Sequence, residues 1–219
     1  IERGPRCATC ENDSTLCPGH FGHINLALPV FYVHFMSYVV KLLYCVCFRC
    51  SNLLIKKNNA KLISDIQNKT TQERFKSIYD FATKSQKTSR CCYNEGCRVV
   101  QPFKYTLVTT EKAKGQEKEN IVSIVVEFKE DAIRDPSVSK RQYFTPEHCY
   151  EIFRKITNED VTFLGFSPKF SRPEWMICTV LPVPPPAVRP SVQRENNQRS
   201  EDDLTYVLNM IVKANNKLK

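Results

Sequence analysis

The chain has 219 residues, of which 42% are hydrophobic and 25% are charged, so it can bury a core as one large domain or two small ones and is not a disordered segment. Its 32 Lys and Arg residues against 23 Asp and Glu give a net charge of +9, which suits a polyanionic partner such as nucleic acid. The 11 cysteines are odd in number and clustered, and no secretory leader precedes them. We therefore expect a reduced, metal-binding intracellular protein rather than a secreted disulfide framework.

The first motif is a set of four metal-ligand residues close to the N-terminus. They form two pairs, each with a two-residue spacer, and six residues separate the pairs. A two-residue spacer turns both ligand atoms to the same side of a tight turn, as a tetrahedral zinc ion requires. The pattern predicts one Zn²⁺ site with the ligands Cys7, Cys10, Cys17 and His20. His23 is an alternative fourth ligand.

An almost wholly apolar run extends from Val30 to Phe48 and is interrupted by His34, Ser37 and Lys41. Its 19 residues are borderline for a membrane span. The charge in the middle of the run argues against a span. We predict a buried helix that starts at Pro29, because proline suits the first turn of a helix.

A second Cys-x2-Cys pair, Cys47 and Cys50, follows this run and needs two further ligands. Cys97 is one of them, and either Cys91 or Cys92 is the other. We prefer Cys92, because it leaves four residues before Cys97 and gives the closer-knit pair. The sequence therefore predicts a second, Cys₄ zinc site. The other three cysteines are predicted to be buried free thiols, namely Cys45, Cys149 and Cys178.

The middle of the chain alternates between helix and strand patterns. Asn59–Lys84 predicts two helices. Val99–Thr110 and Ile121–Lys129 are rich in β-branched and aromatic residues and predict a hairpin. Thr145 is predicted to cap a helix that has proline at its first position, and Asn158–Gly165 predicts a short helix ended by its glycine.

The C-terminal part contains a proline-rich stretch, a polar loop and a helix. Five of the ten residues in Leu181–Pro190 are prolines, which predicts an extended polyproline II strut. Ser191–Ser200 predicts a loop that carries Arg194 and Arg199. The acidic residues 201–203 then open a helix that ends in lysines, in agreement with the helix dipole.

Taken together, these landmarks resemble the N-terminal clamp region of the largest subunit of DNA-directed RNA polymerases, of the eukaryotic RNA polymerase II type. They occur in the family's order over essentially the whole chain, and the tryptophan-containing and prolyl motifs are the most specific. The segments that carry the resemblance are Cys7–Phe31, Val46–Cys50, Gly96–Cys97 with Gln101–Pro102, Leu164–Phe166, Phe170–Ile177, Leu181–Pro186 and Gln198–Thr205.

The resemblance implies an α+β fold, a zinc-stabilised clamp core of mixed helices with a small antiparallel sheet. It implies that residues 1–100 are a zinc-binding part and 101–190 a clamp core with the proline strut. Residues 191–203 would be a lid-like loop and 204–219 the start of the following helix. Such a clamp closes over DNA and the RNA–DNA hybrid, two structural zinc ions stiffen it, and its lid helps to separate nascent RNA from the template.

The resemblance also implies partners and a location. The partners are DNA and the RNA–DNA hybrid, other polymerase subunits including the second-largest, and transcription factors, with no membrane. The location is the nucleus for a cellular protein, and the host-cell cytoplasm or the virion for a virus-encoded one. Arg189, Arg194 and Arg199 are predicted to contact phosphates without sequence preference.

The family's catalytic motif Asn-Ala-Asp-Phe-Asp-Gly-Asp, which holds Mg²⁺, is absent from these residues. We therefore predict no catalytic residue and no bound Mg²⁺ here, and nucleotidyl transfer only within the assembled enzyme. Tyr32 and His34 depart from the family's usual residues. Arg194 stands where an aromatic residue is common, which favours an electrostatic role and hints at a divergent or virus-encoded polymerase.

Two other interpretations compete with the clamp. A free-standing zinc-dependent nucleic-acid-binding module would explain the cysteines and the charge, but not the tryptophan and proline motifs. An adaptor whose Pro182-x-x-Pro185 docks a proline-recognising domain is the third interpretation.

Overall fold

A computed structural model describes residues 6–13, 15–86, 91–111, 120–129, 139–193 and 199–219. The helices in this part of the chain are α1 (Met36–Cys45), α2 (Ala60–Ile66), α3 (Thr71–Gln86), α4 (Pro146–Arg154), α5 (Asn158–Leu164) and α6 (Asp203–Leu218). The strands are β1 (Gly22–Phe31), β2 (Lys104–Glu111), β3 (Asn120–Glu127), β4 (Arg141–Phe144), β5 (Ile177–Val183), β6 (Val192–Gln193) and β7 (Arg199–Ser200). These elements confirm the predicted α+β class.

The chain packs as two compact units. One comprises Ile1–Leu28 with Thr179–Lys219, and the other is the continuous stretch Pro29–Cys178. The strands form three small sheets with the orders β1-β5, β2-β3-β4 and β6-β7. Each unit contains one of the two predicted zinc clusters.

The hydrophobic core of Pro29–Cys178 is built around α1 and α3. Helix α1 buries residues three and four positions apart, as expected for a helix with one apolar face. Its main contacts are with α3, with β2 of the three-stranded sheet and with the 3₁₀ turn at Pro173–Met176. The largest fully buried side chains of this core are Val39, Leu42, Leu43, Val46, Leu62, Ile78, Ile124, Val126, Phe153, Val161 and Leu164.

The predicted helix start at Pro29 is wrong. Pro29 lies within β1, which continues to Phe31, and a short 3₁₀ turn at Val33–Phe35 precedes α1. The β-branched and aromatic residues around Val30 favour an extended backbone. A two-stranded sheet consists only of edges, where a proline costs no ladder hydrogen bond if its nitrogen faces outward. None of the described helices is long and apolar enough to cross a membrane.

The two predicted helices within 59–84 and the predicted hairpin are confirmed. Strands β2 and β3 pair antiparallel, with Tyr105 opposite Val126. The first strand begins at Lys104 rather than Val99, and the loop residues 112–119 lie outside the described residues. Strand β4, whose four residues pair with β3, was not predicted from the sequence. A strand this short gives almost no periodic signal.

Two predicted helix boundaries have the expected chemistry. The hydroxyl of Thr145 accepts a hydrogen bond of 3.2 Å from the backbone N–H of His148, so it caps α4 as predicted. Helix α5 ends at Gly165, which has a φ of +95°. This left-handed conformation favours glycine, because a Cβ would clash with the backbone.

Gly165→Ala is expected to destabilise the chain by about 2 kcal/mol or more. A Cβ on this residue would lie 2.8 Å from the carbonyl oxygen of Thr71, in addition to the strain of its backbone angle. Urea unfolding followed by the fluorescence of the single tryptophan measures the change. The matched control is Gly96→Ala, whose Cβ would have its nearest neighbour at 3.7 Å, and equal effects of the two changes would contradict the argument.

The proline-rich stretch is not a polyproline II strut throughout, which corrects the prediction. Leu181–Val183 belong to β5, and Pro186–Val188 form a 3₁₀ turn. Pro185, between them, has polyproline II angles of −63° and 159°. A proline is compatible with β5 because its sheet has only two strands.

The predicted final helix is confirmed as α6. The side chain of Asp202 caps it by accepting a 3.0 Å hydrogen bond from the N–H of Leu204. Near its other end, the buried Asn215 is bonded to β1. Its Oδ1 accepts from the N–H of Ala27 at 2.7 Å, and its Nδ2 donates to the carbonyl oxygen of Asn25 at 2.9 Å.

Candidate metal centres and nucleic-acid loop

The first predicted ligand set comes together in the unit that contains the N-terminus. One ligand atom from each of Cys7, Cys10, Cys17 and His20 lies within 4.8 Å of the others, and all four residues are half-buried. The sulfurs of Cys10 and Cys17 are 3.7 Å apart, and the sulfur of Cys17 is 3.5 Å from Nε2 of His20. His23, the alternative ligand, is not in the cluster.

The second cluster lies in the unit Pro29–Cys178 and contains Cys47, Cys50, Cys92 and Cys97. The sulfurs of Cys47 and Cys97 are 3.8 Å apart, and those of Cys50 and Cys92 are 3.5 Å apart. The structure brings Cys92 into this cluster and leaves Cys91 exposed outside it. Cys47 and Cys92 are buried, so this cluster is less exposed to solvent than the first.

These distances fit a tetrahedral zinc ion. A Zn–S bond of about 2.3 Å puts two tetrahedral sulfurs about 3.8 Å apart, and a Zn–N bond of about 2.0 Å puts a sulfur and a nitrogen about 3.5 Å apart. The donor sets, Cys₃His and Cys₄, are those of structural zinc sites that leave no position for a substrate. Both clusters could therefore hold a zinc ion that has a structural role.

The turns that carry the cysteines share an unusual backbone feature. Among the described residues, the only non-glycine residues with positive φ are Glu11, Ser51 and Arg98, and each directly follows a cysteine of a cluster. In each turn the N–H of this residue donates to a carbonyl four positions earlier, at 2.8 to 3.0 Å. The left-handed residue thus closes a backbone turn directly after a cysteine whose sulfur belongs to a cluster.

Two side chains that donate to the sulfurs of the second cluster escaped the sequence analysis. Nε2 of the buried Gln101 is 3.1 Å from the sulfur of Cys47, and Nδ2 of Asn52 is 3.5 Å from that of Cys50. Gln101 also accepts from the N–H of Phe48 at 3.3 Å. Such contacts orient metal ligands and balance their charge. The sequence did offer one indication of this role, because Gln101 lies in one of the segments that resemble the polymerase family.

The thiols of the clusters differ in acidity from one residue to the next. Backbone hydrogen bonds from Cys10 and Thr9 lower the pKa of Cys7 to about 6, so its thiolate is available at neutral pH. Burial raises the pKa of Cys47 and of Cys92. A buried thiolate needs a neighbouring cation, which a zinc ion would supply.

The remaining three thiols are placed largely as predicted. Cys45 and Cys149 are fully buried, and burial raises the pKa of Cys149 to about 12. Such thiols are inert packing groups. Cys178 is only half-buried, so the prediction that it is a buried thiol was wrong.

The proline-rich stretch packs directly against the first cluster. Gly19, between two of its ligands, has a φ of +82°, and a Cβ there would lie 2.8 Å from the Cβ of Pro185. Only a residue without a side chain allows this approach. Pro182 is exposed but lies in β5, and Pro185 packs against Gly19, so the pair does not form the free polyproline II segment that a proline-recognising domain binds.

The predicted nucleic-acid contacts lie around the loop that follows. Arg189 donates to the carbonyl oxygen of Pro184 at 3.0 Å and to the hydroxyl of Thr205 at 3.1 Å. Strands β6 and β7 pair antiparallel at the base of the loop. Arg194 and the side chain of Arg199 lie outside the described residues.

Comparison with known proteins identifies the family. The sequence profile of the family described as RNA polymerase Rpb1, domain 1, matches residues 1–219. The chain is similar to the DNA-directed RNA polymerase II subunit RPB1 of Euplotoides octocarinatus, with 38% identity over 224 residues, and it spans 44% of the length of that relative. With both cysteine clusters assembled as described above, the chain belongs to the RNA polymerase Rpb1 family, in which it corresponds to domain 1, the N-terminal region of the largest subunit.

Proposed function

We propose that this chain is the clamp portion of the largest subunit of a DNA-directed RNA polymerase, which closes over DNA and the RNA–DNA hybrid during transcription. Nucleotidyl transfer belongs to the assembled enzyme, and the Mg²⁺ that it uses is held outside this chain. The partners are the other polymerase subunits, including the second-largest, and transcription factors. The functional segments are 1–100 for zinc binding, 101–190 for the clamp core and 191–203 for the lid.

The lid proposal rests on the paired strands at the base of the loop that follows the proline-rich stretch. Val192 pairs with Ser200 and Gln193 with Arg199, so both ends of the loop are held together. On one side Pro185 packs at Gly19, and on the other the N-cap of α6 begins at Asp202. A fixed base limits the entropy lost when the tip binds a nucleic acid.

We assign the phosphate contacts to Arg194 and Arg199, with Arg189 at the base of the loop. The guanidinium of Arg189 is held by Pro184 and Thr205, so it supports the loop as well as adding positive charge. Contacts of this kind are independent of sequence, as a clamp on any transcript requires.

In the assembled polymerase, Arg194→Ala combined with Arg199→Ala is expected to weaken retention of RNA and of the hybrid. Each lost phosphate contact lowers the slope of log affinity against log salt by about one. The measurement is dissociation of labelled RNA from stalled complexes over a series of salt concentrations. The control removes the same charge from α6 by Lys213→Ala with Lys217→Ala, and an unchanged slope in the loop variant would contradict the proposal.

We propose two structural zinc ions, one in each cluster, as the support of the clamp. The donor sets and the sulfur separations support this role. The alternative, a free-standing zinc-dependent nucleic-acid-binding module, is disfavoured by the identity to a longer polymerase subunit. For a cellular protein we propose the nucleus, and for a virus-encoded one the host-cell cytoplasm or the virion.

A further inference from the structure

A small pocket lies beside the turn that follows Cys50, in the unit Pro29–Cys178. Its volume is about 290 Å³. The turn and helix α4 contribute its walls, although they are far apart in the sequence. Its polar lining consists of Arg49, Ser51, His148, Glu151 and Lys155.

The charges that line the pocket favour an anion. Among the described residues, Arg49 and Lys155 form no ion pair with a carboxylate, and both are exposed. The one acid of the lining, Glu151, has Arg154 at 3.5 Å, which offsets its charge. Burial, and to a smaller extent the positive charge of Lys155, lowers the pKa of His148.

Ser51, one of the residues that line the pocket, has a buried hydroxyl without a hydrogen-bond partner in the described part of the chain. Ser51 is only 2% exposed, and its Oγ has no hydrogen-bond partner among the described residues. An unsatisfied buried hydroxyl costs about 1 to 3 kcal/mol. The residue cannot easily turn away, because its φ of +61° is fixed by the turn in which its N–H donates to the carbonyl of Cys47 at 2.9 Å.

We propose that Arg49, Ser51 and Lys155 form a binding site for a phosphate group, which a nucleic-acid backbone supplies. A phosphate offers several acceptor oxygens and negative charge, which match one hydroxyl donor and two cationic side chains. The net charge of +9 favours a polyanion as the source of the phosphate over the free ion. The site uses none of the residues of the loop at 191–203 and goes beyond the function proposed above.

The test uses the zinc-loaded 219-residue chain and two probes. Inorganic phosphate is titrated while the backbone amide signals of Ser51 and Lys155 are followed by NMR. A fluorescein-labelled, roughly 12-nucleotide single-stranded DNA is titrated by anisotropy over a range of salt concentrations. Arg49→Gln and Lys155→Gln are each expected to weaken phosphate binding about fivefold, and to lower the salt slope for DNA by about one.

Ser51→Gly separates the hydroxyl from the backbone of the turn. Glycine adopts a φ of +61° without strain, so this variant keeps the zinc turn and loses only the donor. We expect about fivefold weaker phosphate binding with an unchanged zinc content. The charge-matched control is Lys61→Gln, an exposed residue of α2 that does not line the pocket.

The outcomes separate the two sources of phosphate. Weaker binding of both probes in the pocket variants, but not in the control, supports the proposal. Weaker binding of inorganic phosphate alone overturns the nucleic-acid source and leaves a site for the free ion. Equal binding by the pocket variants and the control overturns the site itself, and leaves the proposed lid function untouched because its test uses other residues in the assembled enzyme.

Discussion

Cys92→Ser is expected to lower the zinc content from two ions per chain to one and to destabilise Pro29–Cys178 by at least about 3 kcal/mol. The sulfur of Cys92 is 3.5 Å from that of Cys50, and the residue is only 3% exposed. Removing it leaves three sulfur ligands, of which only Cys47 is buried, without a fourth thiolate donor, so the ion is lost. Metal analysis by mass spectrometry and urea unfolding measure the two effects.

The neighbouring residue supplies the control. Cys91 is exposed and outside the cluster, so Cys91→Ser should leave both zinc ions in place and change stability by less than about 0.5 kcal/mol. The ligand assignment fails if the two serine variants retain the same amount of zinc. A zinc content near one in the unaltered chain would instead remove one of the two sites.

Arg172→Gln is expected to cost about 3 kcal/mol of stability, because it leaves a buried carboxylate without its partner. Arg172 forms an ion pair with Glu174, which is 8% exposed, and it also donates to Asn158 and to the carbonyl oxygen of Ile156. The side chain thus joins the end of α4, the start of α5 and the 3₁₀ turn that leads into β5. Urea unfolding followed by the fluorescence of Trp175 measures the loss.

Two further variants test the cause of this loss. Arg154→Gln removes an exposed arginine whose partner Glu151 is 3.5 Å away, and it should change stability by less than about 1 kcal/mol. Adding Glu174→Gln to Arg172→Gln removes the stranded charge, so the double variant should recover part of the stability. If the double variant is as unstable as the sum of the single variants, burial of the charge is not the reason.

The metal clusters could be predicted well from the sequence, because ligand type and spacing are local properties. The preference for Cys92 over Cys91 followed from one residue of spacing, and the structure brings Cys92 to the other sulfurs. The left-handed conformations of Glu11, Ser51 and Arg98 could not be predicted, because none of these residues is a glycine. The closure of each turn imposes them against local preference.

Prolines account for the largest errors in the predicted fold. Pro29 is compatible with the first turn of a helix and with an edge strand, and pairing with β5, which is remote in sequence, favours the strand. The same pairing draws Leu181–Val183 out of the predicted strut. The contact of Gln101 with the second cluster was missed for a similar reason, because Gln101 and Cys47 are 54 positions apart in the sequence.

The bonds that Asn215 makes to β1 have a consequence for association between molecules. A side-chain amide carries the same donor and acceptor as a peptide group, so it occupies Ala27 N–H and Asn25 C=O as a neighbouring strand would. An exposed edge strand has unpaired N–H and C=O groups, with which strands of other chains can pair and aggregate. By occupying these two groups of β1, the amide of Asn215 on α6 leaves fewer free groups with which another strand could pair.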